Sequence, residues 1–413
     1  MAQDTLFFRQ LFDPISSTYT YLLADLKTKN ALLIDPVLEQ FKRDAQLIQQ
    51  LGFKLKYTIE THIHADHVTG AHELKNTFKS ECVVPALSQA QHADRVLEDK
   101  QIFEMDSVHF KSLHTPGHTD HHMCYLMNDT LFTGDCLMIN ACGITDFQSG
   151  DSKTLFHSVH DILFKLAPDT KVFPAHDYHG LTQTTIEEQK KHNPRFANVN
   201  LDKFQDIMAN LKLPYPRRML QAVPKNMVCA NQQGLIKQLK SLIPKHAHVL
   251  NIGQDVSYDT LDLAKHLPYG TWQIACLNPY LSSMNKLIEQ YKLDSVPPAK
   301  ALGDYIEWQL NEGYDFIYTE RFFDEIPEDE IAMVVRQIKH HLKPKGLFCL
   351  YAVLLETKGI LLDQLQDLYQ AKNPQYGVRA WSFLQNVFEE EGFVLKNVTN
   401  LELGFKLMCW QAP

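Results

Sequence analysis

Apolar and polar positions alternate along the first half of the chain in the way that short strands and helices require. Leu55 to Thr61, Leu131 to Phe132 and Val172 to Phe173 are short, apolar and rich in β-forming residues, which predicts strands. Helical patterns lie between them. We therefore expect an αββα sandwich here, in which the polar residues that directly follow the strands lie at one edge.

The second half shows a regular succession of strands and helices with short loops. The predicted elements are strands at 248–253, 271–277, 314–319 and 346–353, and helices at 257–266 and 328–342. The longer helix is marked by apolar residues at helical spacing: Ile331, Val334, Val335, Ile338 and Leu342. This succession predicts a doubly wound parallel sheet.

A change of pattern near residue 232 separates these halves. Pro214, Pro216 and Pro224 interrupt a stretch with little periodicity, and residues 231–234 have the composition of a boundary. At 413 residues the chain is also longer than one ordinary domain. We predict two α/β domains, residues 1–232 and 233–413.

The densest concentration of chemically active side chains follows the strand at 55–61. Potential metal ligands crowd this turn, and three later segments add one each; together they are His62, His64, Asp66, His67, His118, Asp135 and His176. Neutral imidazoles and carboxylates suit zinc, iron or manganese. A surface loop that is merely rich in histidine is the weaker interpretation, because the later segments complete the same site.

Composition and charge narrow the class of protein. Hydrophobic residues make up 45% of the chain, which is ample for two cores, and the formal net charge of −9 argues against nucleic acid as a partner. Residues 1–13 lack the apolar segment of a signal peptide, and no stretch is apolar enough to span a membrane. Eight scattered cysteines without a CxxC pair suggest reduced thiols. We therefore expect a cytoplasmic protein.

The order HxHxDH, His, Asp, His resembles the metallo-β-lactamase superfamily, and within it the persulfide dioxygenases, iron enzymes that oxidise glutathione persulfide. The resemblance extends from about residue 5 to about residue 230. The matching stretches are residues 12–13, 16–22, 33–37, 61–67, 115–120, 145–148, 157–160, 175–180, 193–195, 210–211 and 213–214.

This resemblance implies one Fe(II) per chain, held by His62, His118 and Asp135. Two His and one carboxylate occupy one face of an octahedron and leave positions for substrate and O₂. The remaining four groups, His64, Asp66, His67 and His176, would then orient the ligands or form a second metal site. No catalytic residue is implied beyond the metal site.

A rival interpretation remains open. In the hydrolase branches of the superfamily, including glyoxalase II, the same residues bind two zinc ions that polarise an ester or lactam carbonyl. The heptad does not discriminate between the branches. Residues 145–147 and 157–160 favour the dioxygenase.

The resemblance implies carrier contacts through Tyr178 and Arg195, whose hydroxyl and guanidinium suit a carboxylate-bearing tripeptide. Asn140 and Ile144 stand where arginines are expected, which leaves the identity of the thiol carrier open. His121-His122 replaces a Gly-Cys pair, and we expect a solvated turn there rather than additional ligands. Cys142 is expected to be a buried, inert thiol rather than a redox-active one.

The second half resembles a class I S-adenosylmethionine methyltransferase. Residues 249–253, 303–304 and 342–348 match that family's motifs, but Gln254, Asp255 and Val256 stand where small residues should admit the cofactor. Asn278 replaces the acid that would hold the ribose. We therefore expect no S-adenosylmethionine and a domain kept for structure or for docking a protein partner. A homodimer is left open.

Overall fold

The computed structural model describes residues 5–88, 90, 93–211, 213, 219–228, 233–253, 258–267, 270–276, 281–291, 296–302, 308, 310, 313–320, 322–353, 377–400 and 405–413. The chain forms two compact units, Met1–Ala230 and Asn231–Pro413. Each unit has its own sheets and core. The division into functional domains at residue 232 stays a prediction.

Two six-stranded sheets form the centre of the first unit. The first sheet has the order β1 (Leu6–Asp13), β2 (Thr18–Asp25), β3 (Asn30–Ile34), β4 (Lys54–Ile59), β5 (Glu81–Pro85), β6 (Arg95–Leu97). The second sheet contains β7 (Ile102–Met105), β8 (Val108–His114), β9 (Met123–Met127), β10 (Thr130–Gly134), β11 (Lys171–Pro174) and β12 (Thr184–Thr185), which neighbour one another in that order.

Helices cover the outer face of each sheet. They are α1 (Phe41–Gln50) and α2 (Ala71–Phe78) on the first, and α3 (Ser152–His157), α4 (Ile186–His192) and α5 (Leu201–Ala209) on the second, with α6 (Met219–Val228) following. Successive side chains of a strand point to opposite faces of its sheet. Leu22 of β2 therefore packs with the helices, whereas Leu23 packs with Phe110 and Phe132 between the two sheets. The predicted αββα sandwich is confirmed.

In the described residues of the second unit, seven strands form one sheet with helices on both faces. Its elements are α7 (Gln233–Leu242), β13 (His248–Gly253), α8 (Tyr258–His266), β14 (Thr271–Cys276), α9 (Leu281–Tyr291), β15 (Lys300–Ala301), β16 (Tyr314–Glu320), α10 (Ile331–His341), β17 (Leu342–Val353), α11 (Trp381–Glu390), β18 (Val394–Asn400) and β19 (Phe405–Gln411).

The strand order is β15-β14-β13-β16-β17-β19-β18. The first five strands of this order are parallel to one another. The order reverses beside β13, as in a doubly wound sheet, and β18 and β19 form an antiparallel closing hairpin. Helices α7, α8 and α9 pack on one face, and α10 and α11 on the other. This is the methyltransferase-like fold that we expected.

Two cysteines of this sheet contradict the expectation of reduced thiols. Cys349 on β17 lies directly opposite Cys409 on β19, and the two form a disulfide. The sequence separation of 60 residues conceals a pairing that only the strand register creates. Cys82, Cys124, Cys136 and Cys142 are buried thiols. Among the described residues, no helix is long and apolar enough to cross a membrane.

Candidate metal centre

The predicted ligands lie at one edge of the sandwich and come from both sheets. His62 follows β4 of the first sheet, and Asp135 and His176 follow the parallel strands β10 and β11 of the second. His118 lies in the turn between β8 and β9. The carboxyl ends of these strands meet, so residues far apart in sequence converge on one volume.

His62, His118 and Asp135 form a buried cluster. Each offers one ligand atom, and these atoms lie within 4.8 Å of one another. Oδ2 of Asp135 is 3.9 Å from Nε2 of His62 and 3.6 Å from Nε2 of His118. Two imidazoles and one carboxylate, all facing one point, are a donor set that suits a divalent transition metal.

Neighbouring groups fix the orientation of both imidazoles. Nδ1 of His118 lies 2.7 Å from the carbonyl oxygen of Ile144, to which it donates. Nδ1 of His62 lies 2.9 Å from the hydroxyl of Thr61, which itself donates to Asp35. Because that hydroxyl proton is directed to Asp35, His62 donates from Nδ1. In both rings Nε2 is therefore left as the unprotonated atom that faces the cluster.

Electrostatics keep these groups in the state that binds a metal. Burial and the surrounding imidazoles hold the pKa of His62 well below its usual value, and burial also lowers the pKa of His118 despite Asp135 nearby. Burial alone would raise the pKa of Asp135, but His176 outweighs it and lowers the pKa to about 2. Near neutral pH the centre presents two neutral imidazoles and one carboxylate.

The other four predicted groups lie beside this cluster, with the three histidines around Asp66. Oδ2 of Asp66 is 2.8 Å from both Nδ1 of His67 and Nε2 of His176, and Nδ1 of His176 is 2.6 Å from Oδ1 of Asp135. Burial opposes the charge on His176, but the two carboxylates raise its pKa well above the usual value. Nδ1 of His64 is 3.7 Å from Oδ1 of Asp66, and its Nε2 is 3.1 Å from Asp35 and 3.6 Å from Glu60.

Asn226 of α6 is a site residue that the sequence did not indicate. Its side-chain amide donates to the carbonyl oxygens of His64 (2.9 Å) and His67 (2.8 Å) and accepts the N–H of Thr69 (2.8 Å). One buried side chain thus satisfies three main-chain groups of the ligand-bearing turn. A single polar residue in a helical pattern carries no sequence signal for such contacts.

Replacing Asn226 by Leu should leave these three groups without partners. We expect a loss of about 2–3 kcal/mol in the free energy of unfolding and about 10- to 100-fold weaker metal binding. Urea denaturation and metal titration measure the two effects. Asn210→Leu, at an exposed position, is the matched control. If the two variants had the same stability and the same metal affinity, the role of Asn226 in supporting the ligand-bearing turn would be contradicted.

His121 and His122 are buried, so the expected solvated turn is wrong. Nε2 of His121 accepts the N–H of Ile63 (3.0 Å), and Nε2 of His122 accepts the N–H of Asp135 (3.1 Å). Each ring therefore holds a turn that carries a predicted ligand. His122, Cys124 and Cys136 also approach one another, but both ring nitrogens of His122 already have partners, since Nδ1 lies 3.1 Å from the Thr115 hydroxyl.

The residues around the predicted substrate pocket occupy different environments. Tyr178 is 68% exposed, and its ring stacks with that of His176 at 6.2 Å between centroids. Arg195 donates from Nη1 to the carbonyl oxygen of Cys142, and that nitrogen lies 3.3 Å from the Cys142 sulfur. Burial raises the pKa of Cys142, in keeping with an inert thiol. Asn140 is exposed. The roles of Tyr178 and Arg195 stay predictions.

The fold and the buried cluster define a protein of the metallo-β-lactamase superfamily, whose family model matches residues 14–176. Within that superfamily, the chain belongs to the persulfide dioxygenases. Human "Persulfide dioxygenase ETHE1, mitochondrial" is 46% identical over 227 residues, which are 54% of this chain and 89% of the human protein.

A solved structure agrees with this assignment, and a more distant relative is a hydrolase. The crystal structure of ETHE1 from Myxococcus xanthus is 43% identical, has a TM-score of 0.53, and covers 55% of this chain and 100% of its own. A probable zinc-dependent hydrolase of polyketide biosynthesis from Bacillus velezensis is 32% identical over 185 residues, 44% of this chain and 82% of that protein. The similarity is therefore greater to the dioxygenases than to this hydrolase.

Proposed function

We propose that residues 1–232 oxidise the persulfide of glutathione, or of a similar small thiol, with O₂ to sulfite and the free thiol. The single observation that carries the proposal is the buried cluster of His62, His118 and Asp135 in a chain that is 46% identical to a persulfide dioxygenase. The terminal sulfur loses four electrons and O₂ gains them, while water supplies the third oxygen of sulfite and two protons leave.

The donor set fits one Fe(II) per chain, because two neutral imidazoles and one carboxylate can hold iron and leave half of its coordination sphere open. When bound, Fe(II) would supply the redox chemistry that O₂ requires. Ile144 and Thr61 hold the two imidazoles in the required tautomer. His176 lies between Asp135 and Asp66 and donates to both, from Nδ1 and from Nε2, so it holds a proton beside the centre.

The alternative is a zinc hydrolase with two metals per chain, of the glyoxalase II or lactamase type. His64, Asp66, His67 and His176 would supply the additional ligands. The lower identity to the polyketide hydrolase weighs against it.

Turnover separates the two functions directly. Protein reconstituted with Fe(II) should consume O₂ in proportion to added glutathione persulfide and release an equal amount of sulfite. Tyr178→Phe and Arg195→Ala should raise KM more than they lower kcat if they contact only the carrier. Arg9→Ala, on the exposed side of β1, is the control for Arg195→Ala. Hydrolysis of an acyl-glutathione thioester without O₂ uptake would establish the hydrolase instead.

The second domain, residues 233–413, is proposed to be a docking module without methyltransferase activity. The departures on which this rests, at residues 254–256 and 278, and Gly303-Asp304, lie outside the described residues. A cytoplasmic location and a homodimer also stay proposals, while the human relative is named as mitochondrial.

Titration of the full chain with S-adenosylmethionine should show no tight binding. In the methyltransferases that this half resembles, small residues admit the cofactor at the positions of Asp255 and Val256, and a carboxylate binds two ribose hydroxyls at the position of Asn278, which an amide cannot do. Isothermal calorimetry provides the measurement, with S-adenosylhomocysteine as the second ligand. A dissociation constant at or below about 10 μM, roughly −7 kcal/mol, would contradict the proposal.

A further inference from the structure

Thr18, the first residue of β2, places its hydroxyl among the side chains that a second metal would need. The Oγ1 atom is 3.0 Å from Oδ2 of Asp66, to which it donates. It is also 3.0 Å from Nε2 of His176 and 3.3 Å from Nδ1 of His67. Three potential ligands from two turns therefore converge on one oxygen atom of a fourth residue.

The main chain holds this hydroxyl in place. Thr18 pairs with Asp13 on β1 and, on its other side, forms an isolated bridge with His176. The next residue, Tyr19, donates its N–H to Ala175 at 2.7 Å. Thr18 is completely buried, and a β-branched side chain has few rotamers available. The oxygen cannot withdraw without moving a strand of the first sheet away from the turn that carries His176.

The hydroxyl also has a partner on the side away from the metal centre. Oγ of Ser16 lies 2.7 Å from Oγ1 of Thr18 and donates to it, because the Thr18 proton is directed to Asp66, while the Ser16 N–H donates to Oδ2 of Asp13 (2.7 Å). Asp13, Ser16 and Thr18 thus form a short polar chain that ends at Asp66. The Thr18 hydroxyl therefore has hydrogen-bonding partners on both sides.

From this arrangement we propose that Thr18 closes the second metal position and limits the chain to one metal ion. A metal held by His67, His176 and Asp66 would lie about 2.0–2.2 Å from each donor atom. Oδ2 of Asp66, Nε2 of His176 and Nδ1 of His67 all lie within 3.3 Å of the Thr18 oxygen, so an ion held by these atoms and the hydroxyl would compete for the same space. The inference rests on the proposed mononuclear function, and it names Thr18 as the residue that determines how many metal ions the chain binds.

The test is the metal stoichiometry of the full chain. Metal-free wild type, Thr18→Ala and Thr18→Ser are titrated with Zn(II) alone and, separately, with Co(II), and bound metal is measured by mass spectrometry and by the Co(II) visible spectrum. We expect one ion for wild type and for T18S, which keeps the hydroxyl. T18A should bind two, with affinity for the second ion at least about 100-fold above that of wild type.

Thr20→Ala is the matched control, because this buried threonine of the same strand donates to the carbonyl oxygen of Asp35 instead. It should bind one ion. Circular dichroism establishes that each variant is folded, and Thr18→Gly, which opens the same space, replaces T18A if that variant does not fold.

The failures of the two proposals are distinguishable. One ion in both wild type and the folded T18A variant would overturn the role of Thr18 and leave the dioxygenase intact. Two ions in wild type would overturn both. One ion in wild type and two in T18A, in a protein that releases no sulfite with Fe(II), would support the role of Thr18 and overturn the dioxygenase.

Discussion

Replacing His62, His118 or Asp135 by Ala should abolish iron binding and, with it, sulfite production. Each residue supplies one of only three protein donors, and the loss of one leaves two, too few for a stable facial site. We expect activity to fall by at least about 1,000-fold, or roughly 4 kcal/mol in the activation barrier. Iron content after anaerobic reconstitution and O₂ uptake with glutathione persulfide are the measurements.

Two further variants test whether the loss of iron is specific to the three proposed ligands. His176→Ala should keep one iron, because His176 contacts Oδ1 of Asp135, whereas His62 and His118 face Oδ2, and His176 is not one of the three proposed donors. His109→Ala, on the exposed side of β8, should resemble wild type in iron content and activity. Loss of all iron from His176→Ala would show that the mononuclear assignment is wrong.

Gly117→Ala should be among the most destabilising single substitutions in the first unit. Gly117 immediately precedes His118 and has a φ of 136°, which L-residues rarely adopt. A Cβ atom there would lie 2.3 Å from the main-chain N and Cα atoms of Leu155 in α3. Backbone strain and overlap with main-chain atoms together should cost at least about 4 kcal/mol.

Gly52→Ala provides the matched comparison, because Gly52 also has a positive φ, of 67°, but a Cβ there would meet nothing within 4 Å. It should cost only about 1–2 kcal/mol and leave iron affinity unchanged. Urea denaturation of both variants and iron titration of the folded fraction measure the difference. Similar losses of stability in the two variants would show that contact with α3 does not determine the effect.

The predicted ligands could be located from the sequence because each follows a recognisable apolar strand. His62, Asp135 and His176 come within three residues of the ends of β4, β10 and β11, and the carboxyl ends of strands in a layered α/β fold meet at one edge. Periodicity likewise located α10, although its last predicted residue, Leu342, begins β17 instead. Strong local patterns were sufficient for these features.

The supporting residues could not be located in this way, because their contacts depend on three-dimensional neighbours. Asn226 reaches the ligand-bearing turn from a helix about 160 residues later, and its partners are main-chain groups that have no residue identity. His121 and His122 have the composition of an exposed turn, yet both are buried against such groups. The Cys349–Cys409 pairing depends on strand register in the same way.

The origin of the ligands in both sheets links folding to metal supply. His62 belongs to the first sheet and Asp135 to the second, so one bound ion would cross-link the two layers around their shared core. An ion that binds only the folded chain adds its binding free energy to the folding equilibrium, about 4 kcal/mol at a free concentration 1,000 times the dissociation constant. In a cell short of iron, such a domain would unfold more often and be degraded sooner, so its abundance would follow the iron supply before any change in gene expression.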